Sequence, residues 1–320
     1  MRIAIVFPGQ GTQVPGMGSA WRAQPSWSVV DAAEAATAEG LSHLLLDATT
    51  EQLSYTREAQ LSVLLASLLA WDAIEADLHR SSHEIVGFAG HSLGQVTALI
   101  AAGSLTLHDG VRFAAVRASA TQLEASQHPG RMAALVGATV EQAEAACAHT
   151  DNVWIANDNA PGQVVIAGTE AGVSAAIDIG KTLGIRKAIP LAVGGAFHTP
   201  LMEGAVATLV ETLTTTPVSD SGVCVVSNAD ALPYTDASGW IDRLAKHPTQ
   251  RVLWRTSMET LIHDLHADAM LEVGHGTMIA GMAKRTVPGI PVFGVASPET
   301  AHTVLERIAA REIEQENGQP

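Results

Sequence analysis

Cysteine is almost absent. The two present in 320 residues, Cys147 and Cys224, form no disulfide framework and no C-x-x-C or zinc spacing. Both are expected to be reduced, buried thiols. Aromatics are also scarce, at 4%, and small apolar side chains, chiefly Ala, Val and Leu, dominate a composition that is 47% hydrophobic. Such side chains suit close packing of helices on a sheet. Basic residues are outnumbered, with 18 Lys and Arg against 33 Asp and Glu for a net charge of −15. That balance argues against a nucleic-acid partner. An acidic protein partner would need a local basic patch. Long apolar runs are missing too. The first, MRIAIVF, stops at Pro8, too short for a signal peptide, and no run spans a bilayer. A soluble cytoplasmic protein with no membrane partner is expected. Internal repeats and low-complexity segments are absent. The loop PGQGTQ begins a G-x-G-x-x-G pattern at Gly9 and Gly11, but Val14 occupies the third glycine position and no Walker lysine follows. A nucleotide-binding role for it is therefore disfavoured.

What is present is an alternation of strands and helices. Residues 2–7 form a compact β-branched run ended by Pro8-Gly9, which reads as a buried strand. Residues 60–75 are apolar almost all round, as in a buried helix. This alternation predicts an α/β fold with a largely parallel sheet covered on both faces. The pattern changes between Gln127-His128-Pro129-Gly130 and Val193-Gly194-Gly195. There the order strand 132–136, helix 140–148, strand 164–167, helix 170–183, strand 186–191 reads as a small ferredoxin-like unit. The chain thus divides into residues 1–127 with 194–320, and an inserted domain of 128–193. After Glu312 the tail is polar and expected to fray.

Gly90-His91-Ser92-Leu93-Gly94 fits G-x-S-x-G. A serine attacks a carbonyl only when it is exposed, positioned and helped by a base. A strand at 84–89 and a helix from 93 to 103 supply the sharp turn that exposes it. The N–H of Leu93, at the helix start, faces a developing oxyanion. His91 is adjacent, but neighbouring side chains diverge on a tight turn, so it is a poor base. The chain has thirteen histidines, too many to choose among by composition. His198 stands out in the small-residue stretch VGGAFHTPLM, either as that base or as a satisfied core histidine.

Several separated motifs resemble the malonyl-CoA:acyl-carrier-protein transacylase family. They are FPGQGTQ (7–13), GHSLG (90–94) with TALIAAGSLT after it, Arg117, NDNAPGQVVIAG (157–168), GAFHTPLM (195–202), SNADA (227–231), VLW (252–254) and EVGHG (272–276). They occur in family order over nearly the whole chain. The resemblance implies a large α/β-hydrolase-like domain with an inserted ferredoxin-like one. It makes Ser92 the nucleophile, His198 its base, and the N–H groups of Gln10 and Leu93 the oxyanion hole. Arg117 would hold the malonyl carboxylate, and the bulk of Phe197 matches a preference for malonyl over methylmalonyl. A main-chain carbonyl at His247 would orient His198, and Pro248 is expected to bias residue 247 towards an extended conformation. Malonyl-CoA is the implied donor and an acyl carrier protein the acceptor, in fatty-acid or polyketide synthesis, with no tightly bound cofactor or metal and a monomeric enzyme. Carriers of this kind are acidic, so Lys181, Arg186, Lys187, Lys284 and Arg285 are candidates for docking one.

Four positions depart from the family pattern. Gln95 replaces a common glutamate, Thr121 a frequent methionine, His247 a usual glutamine, and His275 the proline between two glycines. Competing expectations are an acyltransferase for another extender unit, a serine thioesterase or hydrolase with water as acceptor, and a non-catalytic carrier-binding protein.

Overall fold

The computed structural model describes residues 1–317. Its strands, in chain order, are β1 (Arg2–Phe7), β2 (Glu84–Gly90), β3 (Arg131–Val136), β4 (Val153–Ala160), β5 (Gln163–Gly168), β6 (Lys187–Pro190), β7 (Val225–Val226), β8 (Pro233–Tyr234), β9 (Ala269–Val273) and β10 (Val292–Val295). Six of them make one sheet in the order β10-β9-β1-β2-β7-β8. Every pairing in it is parallel except β7 with β8.

The central strand β1 is buried on both faces, which is why its sequence is a continuous apolar run. Period-two alternation sends Ile3, Ile5 and Phe7 into one helical layer, and Ala4 and Val6 into the other. The first layer contains the helix Thr56–Arg80, whose Leu61, Leu64, Leu65, Leu68 and Leu69 are buried. The second contains Trp254, Met258, Ile279 and Met282. Among the described residues no helix is long and apolar enough to cross a membrane.

The other four strands form an antiparallel sheet in the order β4-β5-β3-β6. The helix Val140–Ala148 joins β3 to β4, and Glu170–Thr182 joins β5 to β6. This is the ferredoxin-like topology, with one strand more than the sequence predicts. The extra strand is β4. Its Asn157-Asp158-Asn159 segment is made of residue types that strands usually avoid. The polar segment is accommodated by register shifts against β5 and by backbone bonds to a second partner. The Asp158 N–H donates to the Val252 carbonyl at 2.9 Å, and the Val252 N–H donates to the Ala156 carbonyl at 2.8 Å. Thus β4 ties the small sheet to the large body.

The final helix, Pro298–Asn317, continues past Glu312, where the polar tail was expected to fray. Residues 318–320 of that tail lie outside the described residues.

Candidate active site

The turn from β2 into the helix Gly94–Ala101 holds Ser92 at φ +50°, a left-handed conformation rare outside glycine. The crossing is too tight for side chains on either flank. A Cβ on Gly90 would lie 1.8 Å from the Gly94 carbonyl oxygen, and one on Gly94 would lie 2.4 Å from that of Phe7. Asn228 locks the strained turn. Its Oδ1 accepts the Ser92 N–H at 2.8 Å and its Nδ2 donates to the Gly90 carbonyl at 2.9 Å. Gln95 in turn accepts the Asn228 N–H through Oε1 at 2.6 Å. The uncharged amide oxygen of Gln95 makes this bond where the resemblance implies a carboxylate.

Ser92 Oγ and His198 Nε2 lie 2.7 Å apart. His198 is itself at φ +63°, and its N–H donates to the Pro248 carbonyl at 2.7 Å. Its Nδ1 faces two carbonyl oxygens, of His247 at 3.1 Å and Gln250 at 3.0 Å. Carbonyls only accept, so Nδ1 carries the proton and Nε2 presents a lone pair to the Ser92 hydroxyl. Burial, then the positive Arg117 and the nearby His91, push the His198 pKa down to about 3. The imidazole is neutral at physiological pH and ready to accept a proton.

The carbonyl expected at His247 is thus one of a pair. The extended conformation expected there is not found. His247 is helical, at φ −52° and ψ −40°, and starts the short 3-10 turn His247–Thr249 directly after the helix Trp240–Lys246. Pro248 falls in the first turn, where its missing N–H costs nothing, and the helical approach overrides its bias on the residue before it. The His247 ring is buried 5.2 Å from that of His198, and neither of its nitrogens meets a partner among the described residues. Burial holds its pKa well below the ordinary histidine range. Because only the carbonyl hydrogen-bonds to His198, His247→Gln and His247→Ala should keep most of kcat. The pH profile of acylation should stay flat through the ordinary histidine range. A loss of about 10²-fold in a folded His247→Ala, the size expected for a lost acid–base group, would overturn this.

Arg117 lies in the helix Leu107–Gln127 and is only 4% exposed. Its Nη1 donates to Gln60 Oε1 and its Nη2 to Ser92 Oγ at 3.4 Å, while Nε has no partner among the described residues. No carboxylate pairs with it among the described residues. Burial lowers its pKa to about 10, which leaves it charged at neutral pH. A buried guanidinium without a counter-ion is costly unless a ligand supplies one.

These groups border a cavity of about 440 Å³ lined by Gln10, Ser92, Leu93, Arg117, Phe197 and His198. Met132, Ala134 and Val165 of the small sheet close its opposite wall. His91 also reaches it, but its Nε2 is engaged by Asn159 Oδ1 at 2.8 Å and its ring packs edge-on against Trp254. His275 and the five basic candidates do not line the cavity. Lys181 pairs with Asp178 at 2.8 Å. Arg186, Lys187 and Lys284 are exposed. Arg285 donates to Gln163, which does line the cavity. Among the described residues no group of three ligating side chains is placed to hold a metal ion.

Sequence reasoning assigned no role to Gln60 or Asn228. The signal for Gln60 was a lone amide in an otherwise apolar helix, since a buried polar group requires a partner. Asn228 lies inside the quoted SNADA motif, but only the fold reveals that it clamps the turn.

Residues 4–283 match the family model described as an acyl transferase domain. The malonyl CoA-acyl carrier protein transacylase of Bacillus subtilis (strain 168) is 32% identical over 316 residues, covering 96% of this chain and 97% of that protein. The acyl-carrier-protein S-malonyltransferase of Burkholderia pseudomallei 1710b superposes with a TM-score of 0.88 at 32% identity, over 96% of this chain and 100% of that one. A malonyl-transacylase solved in complex with the acyl-carrier protein of a type II PKS gives 0.89 at 30% identity, over 96% of this chain and 100% of that one. With a serine, a neutral imidazole and an unpaired guanidinium converging on one cavity, the chain belongs to the malonyl-CoA:acyl-carrier-protein transacylase family of acyl transferases.

Proposed function

We propose that this protein moves a malonyl group from malonyl-CoA to the pantetheine thiol of an acyl carrier protein, in fatty-acid or polyketide synthesis. Ser92 attacks the thioester carbonyl and passes its proton to His198 Nε2. The tetrahedral oxyanion lies against the N–H groups of Gln10 and Leu93, each such donor being worth roughly 3 kcal/mol in water-excluded sites. Collapse breaks the C–S bond, and the leaving CoA sulfur takes the proton back from His198. The carrier thiol then repeats the cycle in reverse on the Ser92 ester, giving ping-pong kinetics. The proton only shuttles between Ser92, His198 and the two thiols, so neither half-reaction calls on a cofactor.

The observation that carries this reading is the buried, carboxylate-free Arg117 3.4 Å from the Ser92 hydroxyl. Malonyl-CoA presents a carboxylate beyond its thioester, and a guanidinium grips one through two parallel bonds. A simple acyl ester would leave the charge unpaired. Phe197 on the cavity wall restricts a branched extender unit. Residues 128–193 act as an inserted domain that forms one wall of the cavity, the rest of the chain forming the other.

Intact-mass spectrometry should show a malonyl adduct after incubation with malonyl-CoA, and added carrier should remove it. Loss of the adduct to water at the same rate without carrier would favour a hydrolase, and no adduct at all would refute the reading. For docking, Lys181, Arg186, Lys187, Lys284 and Arg285 are the proposed basic contacts. Charge reversal at Lys284 and Arg285 should raise KM for the carrier and spare that for malonyl-CoA. Unchanged carrier kinetics and unchanged salt dependence would remove the patch from the proposal.

A further inference from the structure

Arg117 does not stand alone in its helix. Gln60 and Thr121 are buried beside it, and both also line the cavity. The donors and acceptors in this cluster fix the Gln60 amide one way round. A guanidinium only donates, so the Gln60 atom facing Arg117 Nη1 is the amide oxygen. The amide nitrogen then points the other way, to Thr121 Oγ1 at 3.1 Å. The threonine oxygen accepts there, and its own proton goes to the Arg117 carbonyl at 2.8 Å, one helical turn back, or to that of Ala118 at 3.2 Å. A turned Gln60 amide would set an NH2 group against a guanidinium in a site with little water to separate them.

We infer that Thr121 is a specificity-determining positioning residue. Through Gln60 it fixes the Arg117 guanidinium for an acyl group that ends in a carboxylate, and so sets the preference for that group over acyl groups lacking it. The inference rests on the malonyl reading above. Thr121 touches no reacting atom. Its hydroxyl is spent within the protein, so it adds no free polar group to the acyl pocket. Removing the hydroxyl leaves a buried NH2 without an acceptor and lets the Gln60 side chain shift away from its place beside Arg117, which loosens the guanidinium on one side.

The test uses the full chain with Thr121→Val, Thr121→Ala and Thr121→Ser. Acylation of Ser92 by malonyl-CoA and by acetyl-CoA is followed by intact mass, giving KM and kcat for each donor. Valine and alanine should raise KM for malonyl-CoA about tenfold and change acetyl-CoA kinetics less than about twofold, the loss expected for one buried, unsatisfied polar group. Serine, which keeps the hydroxyl, should restore the wild-type ratio. Retained acetyl loading reports that each variant is folded. An unchanged malonyl-to-acetyl ratio in both Val and Ala variants overturns the inference, as does an equal fall on both donors or a serine variant as poor as the valine one. A wild type that takes no malonyl group overturns the malonyl reading and this inference with it. A wild type that prefers malonyl, beside variants that prefer it equally, overturns only the role of Thr121.

Discussion

Ser92→Ala is expected to abolish the acyl-enzyme, with a fall in kcat of about 10⁶-fold, the scale seen when a serine nucleophile is removed from a unit that acts together. The hydroxyl is the only group on the turn that combines cavity access with a base, His198 Nε2 at 2.7 Å. No nearby side chain can take its place. His91 is bound to Asn159 and packed on Trp254, and neither cysteine lines the cavity. The variant should fold normally. Alanine keeps the Cβ that already tolerates φ +50°, and Asn228 bonds the backbone N–H of residue 92, which the substitution leaves in place. Intact mass after incubation with malonyl-CoA, together with a thermal melt, checks both halves. A full-strength adduct on the folded variant would place the nucleophile elsewhere.

The turn was legible because its constraints are local. Gly90 and Gly94 must be glycine for steric reasons, and a strand and a helix announce themselves on either side. The buried strand β1 and the centre of the helix Thr56–Arg80 were legible for a similar reason, since a largely apolar stretch means burial on nearly every face. The failures lie where tertiary contacts decide. Strand β4 was missed because Asn157, Asp158 and Asn159 carry the wrong propensity, and the Val252 backbone that pairs with that stretch lies about a hundred residues on. His247 was read through Pro248 as extended, but the helix running into it sets its conformation. Nothing local singles out Gln250, yet its carbonyl and that of His247 both accept from the same ring nitrogen. Gln60 illustrates the same limit. Its amide is conspicuous in an apolar helix, yet nothing local says that it faces Arg117, 57 positions later. Charge was the least informative signal. A net −15 prompts a search for local basic patches, but it cannot separate docking cations from ones already paired, such as Lys181 with Asp178.

Arg117→Ala is expected to lower kcat/KM for malonyl-CoA by about 10²- to 10³-fold, the loss of a buried charge-assisted pair worth roughly 3–4 kcal/mol. Acetyl-CoA should be spared or improved, because it has no carboxylate and no longer has to share the cavity with an unpaired cation. The wild-type guanidinium pays for its burial only when a carboxylate arrives. Among the described residues its one side-chain partner besides the Ser92 hydroxyl is the neutral amide of Gln60, and its Nε has none. Alanine at this position keeps the helix and frees Gln60 Oε1 to meet water, so the fold should persist. Arg117→Lys should also be poor. An ammonium keeps the charge but offers no planar fork, so it cannot hold a carboxylate by two parallel bonds and the Gln60 oxygen at the same time. The measurement is the ratio of malonyl to acetyl loading at Ser92, taken from initial rates on the same preparations. If Arg117→Ala loses both donors in equal measure, the arginine supports the helix and not the substrate. If Arg117→Lys matches the wild type, charge alone suffices and the bidentate grip is wrong. Only a selective malonyl loss in both variants agrees with a guanidinium held in place for the free end of the acyl group.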